Sequence, residues 1–201
     1  MIVREFRFLT TDDEHEEKRW DNWSRCYEYT LVLRKLAARQ AARGNKLRVH
    51  NTACGGSPLH TAFANELHRL YDTVNSDMEP LKLAKYPKWP WVPNYAQYDL
   101  TQPDEALYGG VFDAVLCIST LEHIESLHTE LIVRSLLDQL RPSGILMITA
   151  DVPSKCMAVL TQMIGFSCGT VDAGRLLTPD NSAFFVPGHP PTNIVYLEAQ
   201  P

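Results

Sequence analysis

Residues 112–124, FDAVLCISTLEHI, begin with an almost uninterrupted apolar run and end in a polar turn. A run that is apolar at consecutive positions is typical of a strand buried on both faces of a parallel sheet. Residues 140–149, LRPSGILMIT, form a second segment of this kind, and residues 125–140 between them place apolar side chains at helical spacing. This order predicts two parallel strands joined by a right-handed helical crossover.

The same alternation extends along most of the chain and indicates an α/β fold with a mainly parallel sheet. A helix is predicted from Ser24 to the stop signal Gly44-Asn45, and a last strand at 193–199. Residues 1–23 are expected to be an irregular arm, and residues 24–201 a single domain. The remaining strands are predicted near 47–53, 71–76, 94–98, 112–118 and 144–150, and the remaining helices near 58–70, 125–140 and 155–164.

Composition limits the class of protein. The chain has 201 residues, of which 45% are hydrophobic and 21% charged, as expected for one globular domain. Its formal net charge is −5, and the excess of acidic residues argues against a large nucleic-acid interface. Five scattered cysteines without a Cys-x-x-Cys pair favour reduced thiols over disulfides or zinc. A secretory signal and a long apolar run are missing, so a cytoplasmic protein without membrane contact is expected.

The segment 47–58, LRVHNTACGGSP, predicts a strand, a turn of small residues and the start of a helix. Ser57 suits the N-cap and Pro58 the first helical position. Gly55 and Gly56 would let the backbone approach a ligand at the carboxyl end of the strand, where open α/β sheets bind ligands. The Gly-x-Gly-x-x-Gly fingerprint is absent, which disfavours an NAD-dependent oxidoreductase.

Two aspartates follow later predicted strands. Asp77 comes twenty-two positions after Gly55, a spacing that suits an acid binding a ribose diol, although it could instead cap the next turn. Asp99 could accept a hydrogen bond from an adenine amino group or form a turn with Thr101. Both alternatives stay open for each aspartate at this point.

Together, segments 112–124 and 140–149 resemble the class I S-adenosylmethionine-dependent methyltransferases, in the methyltransferase type 11-like branch, whose pattern is FD-x-V…S-x-x-LEHI…L-x-P-G-G-x-L. Residues 25–29, RCYEY, are also similar to an N-terminal segment of some members. The resemblance covers residues 24–151. It implies a Rossmann-like three-layer sandwich with a seven-stranded, mainly parallel sheet, an antiparallel last strand and a terminal hairpin. It also implies S-adenosylmethionine as cofactor, with binding residues Tyr29, Asn51, Ala53, Cys54, Gly55, Asp77, Met78, Asp99, Leu100 and Ser119.

The turn of small residues in segment 47–58 departs from the family's pattern. Asn51 stands where the family usually has an acid, Ala53 where it has glycine, and Ser57 where a second loop glycine is common. Asn51 brings no charge to orient the ammonium group of the cofactor, and alanine restricts the backbone more than glycine does. These departures leave a second hypothesis open, a methyltransferase-like binding or scaffold protein without turnover.

The resemblance implies methyl transfer by in-line displacement to an oxygen or nitrogen of an unidentified small-molecule acceptor. His123 is the candidate general base for an acceptor that must lose a proton, with a structural role in the turn as its alternative. The sequence 118–121, ISTL, lacks the Asp/Asn-Pro-Pro-aromatic motif of amino-methylating DNA enzymes. Residues 80–93 either cover a pocket or form a stiff connection. The arm before Ser24, the loop with Trp89 and Trp91, and residues 165–193 are expected to shape the acceptor site.

Overall fold

The computed structural model describes residues 1–9, 25–55, 57–78, 92–102, 109–152, 154–165 and 193–201. A short 3-10 helix covers Leu121–His123. The strands are β1 (Ile2–Phe8), β2 (Arg48–Thr52), β3 (Asp72–Asp77), β4 (Tyr95–Gln97), β5 (Phe112–Ile118), β6 (Leu140–Val152) and β7 (Asn193–Gln200), and the helices are α1 (Arg25–Arg43), α2 (Pro58–Leu70), α3 (Ser126–Asp138) and α4 (Cys156–Gly165).

The seven strands form one sheet in the order β1-β7-β6-β5-β2-β3-β4. Strands β2 to β6 are mutually parallel where they pair. Strand β7 runs antiparallel to both β6 and β1. The predicted Rossmann-like architecture, a mainly parallel seven-stranded sheet with an antiparallel last strand, is therefore confirmed. The carboxyl ends of β2, β3, β5 and β6 consequently meet at one edge of the sheet.

The start of the chain differs from its prediction. Residues 2–8 are not part of an irregular arm but form the edge strand β1, which pairs with β7. The predicted terminal hairpin is also wrong in this respect, because the outer neighbour of β7 comes from the opposite end of the chain. A register shift between Val3 and Glu5 breaks the two-residue alternation that would have identified the strand. Residues 10–23 of the predicted arm lie outside the described residues.

Hydrophobic clusters cover both faces of the sheet. One cluster joins β5, β6 and β7 to α3 and α4, and the other joins the sheet to α1 and α2. All seven residues of β5 are buried, as its apolar run predicts. Helix α3 buries Ile132, Val133, Leu136 and Leu137 but leaves Leu127 74% exposed, so not every apolar residue at helical spacing faces the core. Helices thus pack on both faces of the sheet. In such sheets ligands bind at the carboxyl ends of the strands.

Three other features follow from the described part of the chain. Cys54, Cys117 and Cys156 are free and buried, which agrees with the prediction of reduced thiols. Among these residues no helix combines the length and apolar composition needed to cross a membrane. The same residues include no group of three or more His, Cys, Asp or Glu side chains placed to hold a metal ion.

Candidate functional site

The turn after β2 is joined directly to the end of β3. The Cys54 amide donates a hydrogen bond to the Ser76 carbonyl at 2.8 Å. The Gly55 amide donates to Oδ2 of Asp77 at 2.9 Å. These bonds hold the Asp77 carboxylate at the tip of its strand against the small-residue turn.

Residues at this edge of the sheet adopt unusual backbone conformations. Ala53, Gly55 and Ser119 have φ angles of 47°, 65° and 43°, all in the left-handed region. Glycine enters this region freely, whereas a residue with a Cβ does so at a cost of roughly 1–2 kcal/mol. The turn therefore keeps a glycine-like backbone at Ala53 despite the substitution.

A small cavity with about 40 Å³ of free volume lies beside this turn. Five predicted cofactor residues line it, namely Tyr29, Asn51, Ala53, Cys54 and Ser119. The other lining residues are Arg25, Thr52, His60, Phe63 and Ile118. Helix α1 thus contributes Arg25 and Tyr29 to a site otherwise built by β2, α2 and the end of β5.

The Tyr29 phenol and the Cys54 thiol on the cavity wall are both neutral near pH 7. Tyr29 stacks on Phe63 with ring centroids 3.8 Å apart. Burial raises the pKa of the Tyr29 phenol above its ordinary value. Burial, with Asp77 adding to it, raises the pKa of the Cys54 thiol to about 12, so this cysteine is not a nucleophile at neutral pH.

Asn51 is a structural link as well as a part of the wall. Its Nδ2 donates to Oδ1 of Asn75 at 2.9 Å, and Nδ2 of Asn75 donates to the Pro93 carbonyl at 2.8 Å. Both amides are buried. The position where the family usually has an acid therefore holds a neutral hydrogen-bonded chain that ties β2 to β3.

Helix α1 contributes two charged side chains, Arg25 and Glu28, at the ends of β5 and β6. Glu28 has no solvent exposure, forms an ion pair with Arg25, and accepts hydrogen bonds from the hydroxyls of Ser119 (2.6 Å) and Thr149. Arg25 also donates to Oγ of Ser119. We call Arg25, Glu28, Ser119 and Thr149 the α1 network. It anchors the first turn of α1 to the ends of β5 and β6.

A second acidic group follows β5. Both carboxylate oxygens of Glu122 are buried and have no hydrogen-bond partner among the described residues. Burial raises the pKa of Glu122 to about 8, and the negative charges of Asp151 and Glu28 act in the same direction. Asp151 also has a raised pKa, mainly because of burial. The neighbouring His123, the base expected from the sequence, is exposed at the end of the 3-10 helix.

Asp99, Leu100 and Met78 are not among the residues that line the cavity, nor are Gly55 and Asp77 of the adjoining turn. Oδ1 of Asp99 accepts hydrogen bonds from the amide and hydroxyl of Thr101 at 2.8 and 2.7 Å, which is the turn that the sequence left as an alternative. Leu100 belongs to the hydrophobic core. Met78 follows β3 and is 64% exposed. Gly56, residues 80–91 and residues 166–192 lie outside the described residues, so the predicted loop over the site does too.

The polar groups around the turn after β2 suit S-adenosylmethionine in their chemistry, but the cavity there is small. Gly55 cannot carry a side chain here, because a Cβ would collide with Nδ1 of His60, whose imidazole packs against the glycine. That Nδ1 is buried without a hydrogen-bond partner among the described residues. An oriented acid and an unsatisfied polar atom fit the cofactor chemically. Since small-molecule sites have volumes of roughly 300–1,000 Å³, the lining side chains must shift to admit it.

Comparisons with known proteins agree with this fold. No protein-family model and no curated protein sequence matches the chain. Among solved structures, the magnesium protoporphyrin IX methyltransferase ChlM from Synechocystis PCC 6803, solved with bound SAM, matches with a TM-score of 0.50 at 15% identity, covering 92% of this chain and 89% of that one. The CurJ carbon methyltransferase matches with a TM-score of 0.51 at 13% identity, covering 86% of this chain and 53% of that one.

A third structure, WbdD, has a TM-score of 0.51 at 14% identity over 92% of this chain and 42% of its own. In three further solved structures, the matched part is 36%, 50% and 58% of the other chain. At such identities the similarity shows the fold. The chain has the Rossmann-like fold of the class I S-adenosylmethionine-dependent methyltransferases.

Proposed function

We propose that the chain is an S-adenosylmethionine-dependent methyltransferase that acts on an oxygen or nitrogen of a small molecule. The observation that carries the proposal is the contact between the Gly55 amide and Asp77 Oδ2 at 2.9 Å, at the shared carboxyl edge of β2 and β3. This edge is where open α/β sheets bind ligands, and an acid there can accept two hydrogen bonds from a ribose diol.

The proposed roles of the site residues follow from their positions. The Gly55 amide orients the Asp77 carboxylate, and the missing Cβ at Gly55 makes room for the His60 imidazole in the cavity wall. Tyr29, Asn51, Ala53, Cys54 and Ser119 form the wall. If Asp99 binds adenine, it does so in competition with Thr101. The bound cofactor supplies an activated methyl group, so these residues contribute mainly by holding the two reactants in near-attack geometry.

An acceptor hydroxyl would also need a base. His123 is the residue proposed from the sequence. The neighbouring Glu122 is a second candidate, because its two oxygens are buried and have no hydrogen-bond partner among the described residues. With a pKa raised to about 8, Glu122 becomes a base only as it ionises. Activity toward a hydroxyl acceptor should therefore rise as the pH increases through about 8.

We expect purified protein to transfer a labelled methyl group from S-adenosylmethionine to a component of a small-molecule extract. For a hydroxyl acceptor, Glu122→Gln should lower kcat/KM by roughly 10²–10⁴-fold, the usual contribution of a general base, and remove the rise near pH 8. The control is Glu125→Gln, since Glu125 is exposed on the same turn. An unchanged pH profile in Glu122→Gln would exclude Glu122 as the base.

The alternative is a binding or scaffold protein that has lost turnover. The left-handed Ala53 and the small cavity favour it, because both disfavour a tightly held cofactor. Binding of S-adenosylhomocysteine without any labelled product across the extract would support this alternative. A single labelled product that depends on the protein would exclude it.

A further inference from the structure

His50 is a buried histidine on the opposite face of the sheet from the cavity. It lies in the middle of β2 with no solvent exposure, and its ring packs on Phe112 with the two centroids 5.0 Å apart. Phe112 belongs to the hydrophobic cluster that includes α3, whereas α1 and α2 line the cavity. His50 is therefore not a part of the cavity wall, and any effect of it on a ligand must act through other residues.

Both ring nitrogens of His50 are hydrogen-bonded to buried side chains. Nδ1 lies 2.6 Å from Oε1 of Gln139, and Nε2 lies 2.8 Å from Oγ of Ser76. On the far side of the carboxamide, Nε2 of Gln139 donates to the phenol oxygen of Tyr98 at 3.2 Å. A continuous chain of side-chain hydrogen bonds thus joins Ser76, in β3, to Tyr98, which follows β4.

The two ends of this chain meet at Asp77. Ser76 is the residue directly before Asp77, and the backbone amide of Tyr98 donates to the Asp77 carbonyl at 2.9 Å. The hydrogen bonds and the peptide bond together close a ring, which consists of His50, Ser76, Asp77, Tyr98 and Gln139. We call these residues the His50 ring.

The tip of β3 receives limited support from the sheet itself. The pairing of β3 with β2 ends at Asn75, so Asp77 lies beyond the last pair on that side. On its other side Asp77 pairs with Gln97 of β4, a strand of only three residues. The bonds of the His50 ring hold the chain on both sides of Asp77 where this pairing is short.

We propose that His50 is a positioning residue for the nucleoside part of the cofactor, because it fixes the tip of β3 from which Asp77 reaches the ribose diol. This inference rests on the proposed function. Hydrogen bonds weaken steeply outside a narrow range of distance and angle, so a carboxylate that binds two hydroxyls needs a fixed backbone. A buried polar network whose members are all bonded provides such rigidity.

The test compares binding of S-adenosylhomocysteine with binding of its analogue that lacks both ribose hydroxyls, by titration calorimetry on folded wild type and His50→Leu. Leucine occupies much of the volume of the ring but bonds neither Gln139 nor Ser76. We expect wild type to bind the analogue at least tenfold more weakly than S-adenosylhomocysteine, because the carboxylate loses the diol. His50→Leu should bind S-adenosylhomocysteine about tenfold more weakly than wild type does, and the analogue about equally well. The two changes affect the same contact, so their effects should not add.

Two further variants separate positioning from general stability. Leu136→Ala is the matched control, because Leu136 is fully buried on α3 and lies outside the His50 ring. It lowers stability by leaving a cavity, yet it should keep the wild-type preference for the diol. Ser76→Ala removes the link between His50 and β3 while leaving the imidazole in place, and it should lower this preference in the same direction as His50→Leu.

The outcomes distinguish this inference from the proposed function. If folded His50→Leu or folded Ser76→Ala prefers the diol as strongly as wild type does, His50 does not position Asp77, although the cofactor site stands. An equal loss of preference in Leu136→Ala would also overturn the inference, because lower stability alone would then explain it. Wild type that binds both ligands equally would remove the ribose contact on which the inference depends. Folded wild type that binds no S-adenosylhomocysteine would contradict both proposals.

Discussion

Replacing Glu28 with alanine is expected to lower the free energy of unfolding by about 3 kcal/mol, as is typical when one partner of a buried ion pair is removed. Glu28 has no solvent exposure and accepts bonds from the Ser119 and Thr149 hydroxyls while pairing with Arg25. Alanine would leave the Arg25 guanidinium and both hydroxyls without that acceptor. The first turn of α1 would then lose its attachment to β5 and β6.

Urea unfolding measures this loss. Glu130→Ala is the matched control, because Glu130 also pairs with an arginine on a helix, Arg134, but with both side chains more than half exposed at 54% and 66%. Exposed pairs of this type contribute roughly 0.3–0.5 kcal/mol. If Glu28→Ala lowers the free energy of unfolding by no more than Glu130→Ala does, the α1 network does not anchor helix α1.

The second large expected effect is that His50 makes the free energy of unfolding depend on pH. This histidine is fully buried in β2, with Nδ1 2.6 Å from Oε1 of Gln139 and Nε2 2.8 Å from Oγ of Ser76. Oε1 can only accept, so Nδ1 carries the proton and Nε2 accepts from the Ser76 hydroxyl. Burial lowers the His50 pKa to about 4, against the opposing effect of Gln139.

The sign of the pH effect follows from this lowered pKa. Between pH 6.5, the ordinary value for histidine, and pH 4, the unfolded chain binds a proton that folded His50 does not. The free energy of unfolding therefore falls as the pH decreases, by about 2 kcal/mol from this group between pH 7.5 and pH 5. Unfolding experiments at both pH values should show a smaller loss in His50→Gln than in wild type. His68→Gln, at an exposed site, should keep the wild-type loss. If the free energy of unfolding falls as much in His50→Gln as in wild type, His50 is not the source of this pH dependence.

The central part of the fold could be predicted because local patterns there agree with the tertiary structure. The continuous apolar run of 112–118 corresponds to β5, and Ser57 and Pro58 mark the start of α2, where Ser57 acts as the N-cap. In each case the residues that form the element also carry its pattern. The edge strand β1 escaped prediction because its register shift near Val3 breaks the alternation, and because its partner β7 lies at the other end of the chain.

The site was only partly predictable for a similar reason. Gly55 and Asp77 follow neighbouring parallel strands, so their spacing anticipates their contact. His60 and Phe63 line the cavity through the packing of α2, which leaves no periodic signal. The role of Asp99 could not be predicted in this way. An acid after a strand can bind a ligand or form a turn, and here Asp99 accepts a hydrogen bond from the amide of Thr101.

The most direct test of the proposed cofactor site is calorimetric titration of folded wild type, Asp77→Ala and Asp72→Ala with S-adenosylhomocysteine. Asp72 is the control because it lies at the opposite end of the same strand, with its side chain 65% exposed. We expect wild type and Asp72→Ala to bind equally, and Asp77→Ala to bind at least tenfold more weakly, since a carboxylate bonded to a ribose diol is lost. A folded wild type that does not bind, or an Asp77→Ala variant that binds as tightly as wild type, would contradict the account.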